Sequence, residues 1–196
     1  MVVTMKATDT EIIVEHALLN ESNMVLAAKV GASFKELQKR VILRFLERLR
    51  DDLQSTFGPE WSVELELDPS DRRSPYLFTS RKSWPEWVNF GICSDNGCLT
   101  GMYIYVNKCG EILGNVLLDQ ALEESLTALG RCRTSGGLYF IVLDKFRDWG
   151  EQDTLVEIYR ACEALEYVKA LLMRTRDAVA PVIDGNGPPV ETGKIK

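Results

Sequence analysis

The sequence of 196 residues has a single histidine, five cysteines without regular spacing and no long apolar run. His16 lies within an amphipathic segment, away from any predicted loop, which favours an ordinary helix histidine over a catalytic base. The cysteines are odd in number and lack the spacing of a secreted disulfide framework. No window approaches about 18 uncharged apolar residues, and the first residues lack the apolar run of a signal peptide. We therefore expect a cytoplasmic protein without a membrane span.

Basic residues are outnumbered, since 29 acidic side chains stand against 23 lysines and arginines, which gives a formal net charge of −6. This balance provides no general attraction to nucleic acid or to an anionic membrane. Apolar residues nevertheless make up 45% of the chain, which is enough material for a buried core. The composition predicts one ordered domain, which we place at residues 1–176.

Helical periodicity is clearest over residues 33–57. The apolar side chains recur every three or four positions, at Phe34, Leu37, Val41, Phe45 and Leu49. This spacing predicts one stripe that is buried against the rest of the core. Ser33 with Glu36 is typical of a capping box at the start of a helix, and Gly58 is typical of a helix end.

The remaining pattern predicts an α+β protein. Helices at 9–57, broken near 20–23, precede a sheet at 61–107, where side chains alternate and the pair Asn96–Gly97 is typical of a hairpin. A helix, a strand and a last helix follow at 118–130, 138–144 and 154–176. The strand is apolar throughout, as is typical of burial on both faces. We expect an antiparallel sheet of about five strands, packed by three to four helices.

The last residues, 177–196, are rich in glycine and proline, including Gly185, Gly187 and Pro188. Few apolar side chains are available there to offset the conformational entropy that is lost when a chain segment is ordered. We therefore expect a mobile tail that contributes little to stability.

The motifs of two common ligand sites are incomplete. Cys93, Cys98 and Cys109 lack the two close pairs that are typical of a zinc site. The glycine-rich stretch at 130–137 precedes a predicted strand, whereas a phosphate-binding loop opens a helix. The sequence therefore predicts neither a structural metal nor a cofactor.

Carboxylates offer a catalytic alternative, a degenerate metal-dependent nuclease site. Glu64 and Glu66 share one face of a predicted strand, and Asp144 ends another. A nuclease of this type pairs an Asp with a Glu-x-Lys on a neighbouring strand to hold Mg²⁺ and poise a water. No lysine follows at the required step. The simpler interpretation is the solvated face of an edge strand, and no catalytic residue is predicted.

Arginines and aromatic residues are interleaved at 72–87. The set consists of Arg72, Arg73, Tyr76, Arg81, Trp84 and Trp87. Arg, Trp and Tyr are enriched in the hot spots of protein interfaces, and they also bind single-stranded nucleic acid through phosphate contacts and stacking. A solvated loop over a core-facing aromatic strand is the third interpretation. We take the six residues as the candidate partner-binding surface.

The stretch from Phe34 to Asn107 resembles part of a known family. An amphipathic helix containing Phe45–Leu49 precedes the aromatic run Lys82–Ile92, and a hairpin that ends in Tyr103–Val106 follows. This order is similar to the C-terminal accessory region of bacterial PD-(D/E)XK nuclease-family proteins. The catalytic Asp…Glu-x-Lys core of that family is absent. The resemblance implies a stand-alone recognition or regulatory module without the nuclease, of a kind that fits phage, prophage or defence loci.

We expect a non-catalytic protein-binding or regulatory module, of which a phage-encoded inhibitor of host defence is one form. A protein partner is favoured over nucleic acid, and acidity steers such proteins toward basic, nucleic-acid-binding partners. Two alternatives stay open. One is the degenerate nuclease, and the other is a self-associating scaffold, a homo-oligomer that uses exposed aromatic residues as its contact surface.

Overall fold

The computed structural model describes residues 9–66, 76–85, 88–94, 101–108, 116–130, 132–135 and 138–186. The chain divides into two compact units, residues 1–40 and 41–196, where the composition predicted one domain. Within the described ranges, no helix combines the length and the apolar character that crossing a bilayer requires.

Helices and strands in the described residues follow one another from α1 to α5 and from β1 to β6. Their bounds are α1 Asp9–Leu18, α2 Glu21–Phe57, β1 Trp61–Glu66, β2 Tyr76–Arg81, β3 Val88–Cys93, β4 Tyr103–Lys108, α3 Val116–Thr127, β5 Cys132–Ser135, β6 Leu138–Val142, α4 Gln152–Arg160 and α5 Glu163–Asn186.

The first unit holds α1 and the first half of α2. Asn20 caps α2, because its side-chain oxygen accepts a hydrogen bond from the backbone N–H of Asn23 at 2.9 Å. The Asn23 side-chain nitrogen donates to the carbonyl of His16 at 2.9 Å. The predicted interruption between the two N-terminal helices is confirmed. The helix start predicted at Ser33 is wrong, since Ser33 lies within α2 and donates its hydroxyl to the carbonyl of Lys29 at 2.9 Å.

Large apolar side chains of the first unit lie mostly in solvent. Eleven of them are between 41% and 70% exposed, and among residues 11–40 only Ala17 is buried. The stripe that was predicted to be buried is therefore exposed at Phe34 and Leu37. Further along α2, in the second unit, Phe45 and Leu49 are buried as predicted.

The second unit is built on one antiparallel sheet with the strand order β1-β2-β3-β4-β6-β5. β3 and β4 are antiparallel neighbours, with Cys93 opposite Tyr103, although the pair Asn96–Gly97 itself lies outside the described residues. The predicted α+β class with an antiparallel sheet is confirmed. β5 was not predicted, because its short run Cys132–Ser135 is polar and shows no alternation of apolar side chains.

One face of this sheet is buried beneath helices. Phe90, Ile104 and Tyr139 point to that face and are no more than 2% exposed. α2 reaches β3 through Phe57, whose ring centroid lies 6.4 Å from that of Phe90. α3 reaches β6, because the Tyr139 hydroxyl donates to the carbonyl of Asp119 at 3.3 Å. Helices gathered on an antiparallel sheet in this way are typical of the α+β class.

β6 departs from its prediction. Tyr139 and Ile141 are buried, whereas Phe140 and Val142 on the opposite face are half-buried. The expected burial on both faces is therefore wrong. The apolar character of the second face reflects a contact between rings, since Phe140 meets Tyr103 edge to face with centroids 4.9 Å apart.

The helix predicted at 154–176 is two helices. α4 ends at Arg160, and Ala161 adopts a left-handed conformation with a φ of 54°. α5 then begins at Glu163 and continues to Asn186. A left-handed residue ends an α-helix, so α4 and α5 are separate helices.

The mobile tail predicted at the C-terminus is wrong for residues 177–186, which form the end of α5. Val179 and Ile183 are 0% and 4% exposed, and their spacing of four places both on the buried side of the helix. Pro181 lies on the exposed side, where the backbone hydrogen bond that it removes is offset by this burial. Residues 187–196 lie outside the described residues.

Gly91 in β3 marks a close approach between two strands. A methyl group at this position would overlap the backbone carbonyl of Leu77 and the Cα of Phe78. We expect Gly91→Ala to lower the free energy of unfolding by about 1–3 kcal/mol, the usual cost of overpacking. Chemical denaturation measures this loss. Gly185→Ala in α5, where the added methyl group meets open space, is the control and should not destabilise the protein; a Gly91 variant as stable as that control would contradict the expectation.

Candidate functional site

The predicted partner-binding surface is described only in part. Arg72, Arg73 and Trp87 lie outside the described residues. Tyr76 is the first residue of β2. The structure locates the side chains of the other two members of the set at the end of that strand.

These two side chains, Arg81 and Trp84, both contact Asp184 of α5. The indole nitrogen of Trp84 donates to Oδ1 at 2.8 Å, and Nη1 of Arg81 pairs with Oδ2 at 2.5 Å. Trp84 is 8% exposed and meets Trp61 edge to face, with centroids 5.1 Å apart. Trp84 therefore belongs to the core, and its role in partner binding stays a prediction. Sequence reasoning missed this packing because Asp184, its hydrogen-bond partner, was assigned to a mobile tail.

The carboxylates of the nuclease alternative are far apart in the fold. Glu64 is exposed on β1, and Asp144 follows β6 and is also exposed. Three strands lie between β1 and β6, which separates the two by about 19 Å at roughly 4.8 Å per strand. The sheet does not bring Glu64 and Asp144 to one metal ion.

Of the three cysteines considered as zinc ligands, the structure describes Cys93, which is half-buried in β3. His16, considered as a catalytic base, lies on the exposed surface of α1. Cys98 and Cys109 lie outside the described residues. In the part of the chain that the structure describes, no three His, Cys, Asp or Glu side chains are grouped to hold a metal ion.

A cleft between α2 and α4 gathers arginine and tyrosine side chains in the second unit. Its volume is about 390 Å³. It is lined by Val41, Arg44, Phe45 and Arg48 of α2 and by Ile158, Tyr159, Arg160 and Ala161 at the end of α4. Its rim is basic, although the chain as a whole is acidic.

Helical spacing places the two arginines of α2 on the cleft. Arg44 and Arg48 are four residues apart and are therefore neighbours on one helix face. Phe45, beside them, is buried and meets Trp149 edge to face with centroids 5.2 Å apart, which fixes this face of α2 against the core. On the other side, the left-handed residue Ala161 ends α4, so the end of that helix forms the wall of the cleft.

The guanidinium groups of the cleft differ in their partners. Nη1 of Arg160 binds Oε1 of Glu157 at 2.8 Å. Arg44 and Arg48 are exposed, and neither forms an ion pair or a side-chain hydrogen bond with any described residue. A free guanidinium group at an open cleft attracts carboxylates, with which arginine forms paired, charge-assisted hydrogen bonds.

Tyr159 adds an aromatic surface beside the arginines. Its side chain is 70% exposed, and Val156, one turn earlier, is 40% exposed. Leu155 and Ile158 point into the core and are 7% and 1% exposed, so the helical period leaves Tyr159 facing outward. Tyrosine and arginine are the residue types that concentrate binding energy in protein interfaces.

Sequence reasoning missed this cleft, although part of its signal was present. The spacing of Arg44 and Arg48 and the outward position of Tyr159 follow from helical periodicity. The continuous helix predicted at 154–176, however, concealed the helix end at Arg160 that shapes the cleft. Such an end depends on one residue with positive φ. Glycine at that position would have predicted it, whereas alanine, the residue at 161, does not.

Comparisons of the chain with known protein families, with curated proteins and with solved structures find no match. The resemblance to the accessory region of PD-(D/E)XK nuclease-family proteins stays a prediction. A functional proposal therefore has to be argued from the side chains of this protein.

Proposed function

We propose that the chain is a protein-binding module and that the cleft between α2 and α4 holds an acidic segment of its partner. The observation that carries this proposal is the pair Arg44 and Arg48, whose guanidinium groups have no ion-pair partner among the described residues and lie beside the exposed Tyr159. The net charge of the whole chain is −6. A basic cleft attracts carboxylates locally, although the net charge of the whole chain repels them at longer range.

The spacing within the cleft suits a short peptide segment. Arg44 and Arg48 lie one helical turn apart, with about 5–6 Å between their Cβ atoms. Two acidic side chains two positions apart on an extended segment, at roughly 6.7 Å, match this distance. Tyr159 provides an apolar ring for a neighbouring side chain of the segment. Net charge alone suggested a basic partner. We propose an acidic segment instead, because the side chains that line the contact surface determine which charge binds there.

Selection of a random peptide display library on the immobilised full chain tests the proposal. We expect the enriched peptides to carry two or more acidic residues and their binding to weaken as salt screens the charges. The double variant Arg44→Gln/Arg48→Gln should raise Kd at least about tenfold, because a hydrogen bond to a charged group contributes roughly 1.5–3 kcal/mol.

Arg174→Gln is the matched control, because Arg174 is an exposed arginine of α5 that does not line the cleft. It should leave the affinity unchanged. All three arginines are exposed, so each variant should keep the melting temperature of the parent chain. Enrichment of neutral or basic peptides, or equal binding by the double variant, would contradict the proposed function.

A further inference from the structure

The first unit presents an apolar stripe along α2. Its members are Leu26, Ala27, Val30, Phe34 and Leu37. Helical spacing confines them to about 100° of the helix circumference, the width of a face that packs against another element. Val30, Phe34 and Leu37 are 62%, 41% and 53% exposed. A stripe of this form packs against another element, and the described residues leave it largely exposed.

Charged side chains of the same segment lie on the other side of the helix. They are Lys29, Lys35, Glu36, Lys39 and Arg40. Nε of Arg40 donates to Oε1 of Glu36 at 2.8 Å, and this hydrogen bond holds the pKa of Glu36 below its ordinary value. The lysines leave the segment as a whole with an excess of positive charge.

α1 has the opposite charge and exposed apolar side chains of its own. Ile12, Ile13 and Leu18 are 54%, 65% and 64% exposed. The helix carries Glu11 and Glu15 and has no lysine or arginine. α1 therefore shares the exposed apolar character of the α2 segment and has a net charge of the opposite sign.

We propose that two copies of the chain associate through their first units, with α1 of one copy packed on the stripe of α2 in the other. One chain carries both surfaces and leaves both exposed. In a symmetric dimer the contact between α1 of one copy and α2 of the other therefore forms twice. The four helices brought together in this way have the pairing of a small bundle. An anionic membrane is disfavoured as the cover, because it repels the carboxylates of α1.

The exposed apolar area is of the size that a stable dimer needs. A side chain such as Leu or Ile removes on the order of 100 Å² of apolar surface from water when it is fully buried. The large apolar side chains of the stripe and the three of α1 are on average slightly more than half exposed, so these seven offer on the order of 400 Å² per copy. A standard protein interface buries about 800 Å² on each partner, of which somewhat more than half is apolar.

Sedimentation velocity of the full chain over a range of concentrations tests the dimer. We expect the parent chain to be dimeric at micromolar concentration. Val30→Asp/Leu37→Asp places two charges in the stripe and should raise the dimer dissociation constant at least tenfold. Glu11→Lys/Glu15→Lys should raise it as well, because α1 then carries the same charge as the segment on which it packs.

Ala28→Asp/Ala32→Asp is the matched control, since both alanines are exposed and lie opposite the stripe. It adds the same charge and should stay dimeric, with helix content by circular dichroism equal to that of the stripe variant. A parent chain that is monomeric throughout, a stripe variant as dimeric as the control, or a monomer that sediments with anionic vesicles would each overturn the dimer. The variant Arg44→Gln/Arg48→Gln should stay dimeric, so the dimer and the peptide-binding cleft are tested independently of each other.

Discussion

A chain that ends at Arg176 is expected to be far less stable than a chain that ends at Asn186. The shorter chain lacks Val179 and Ile183, which are fully or almost fully buried and contribute about 1.5–3 kcal/mol each. It also lacks Asp184, so the buried indole N–H of Trp84 loses its acceptor, at a cost of about 1–3 kcal/mol. The sum, about 4–9 kcal/mol, is comparable with the whole stability of an ordinary domain.

Denaturant titration of both truncated chains, followed by tryptophan fluorescence, measures this difference. Comparison of the two assigns the effect to residues 177–186. Asp184→Ala isolates the contact with Trp84, and Asp177→Ala is its control, because Asp177 is exposed and contacts its chain neighbour Arg176. If the two truncated chains unfold at the same denaturant concentration, the assigned role of the end of α5 is wrong.

Leu49→Ala is expected to lower the free energy of unfolding by about 2–5 kcal/mol, and Leu37→Ala by no more than about 0.5 kcal/mol. Both residues belong to the same helix and to the same repeating pattern. Leu49 is fully buried, whereas Leu37 is 53% exposed. Truncation of Leu49 leaves a cavity in a packed core, and truncation of Leu37 removes a side chain from solvent.

Chemical denaturation at low protein concentration compares the two variants without a contribution from self-association. The pair controls for helix propensity, because each variant replaces leucine by alanine within α2. Equal losses at the two positions would contradict the difference in burial on which the description of the two units depends.

Helical periodicity predicted the existence of α2 but not where its burial begins. The same three- and four-residue spacing runs through Phe34, Leu37, Phe45 and Leu49. Spacing specifies which residues share a face, whereas burial depends on what packs against that face. In the second unit the sheet and α5 cover it, whereas in the first unit the described residues leave Phe34 and Leu37 exposed.

The alternation of apolar and polar residues predicted the strands well where one face of the sheet is buried and the other is exposed. β1 alternates Trp61 and Val63 with the more exposed Ser62 and Glu64, and such alternation is a local signal. β5 has no such signal, because it is a short edge strand that depends on β6 for its hydrogen bonds.

The candidate site and the C-terminal helix were missed for a common reason. Glycine and proline near the end of the chain suggested disorder, yet Val179 and Ile183 find partners in elements far away in the sequence. The cleft likewise depends on α2 and α4, which are distant along the chain. Local composition does not contain such contacts, since they arise only when the fold brings the elements together.

The contact between Asp184 and Trp84 also has a consequence for biosynthesis, because it joins positions 100 residues apart. Ribosomes add about 5–20 residues per second, so β1 and β2 are made roughly 5–20 s before the residue that completes their packing. During that interval the apolar side of the nascent sheet lacks α5, and Trp84 has no acceptor. The emergence of α5 from the ribosome, rather than the emergence of the strands, is then the event that ends this exposure to chaperones and proteases.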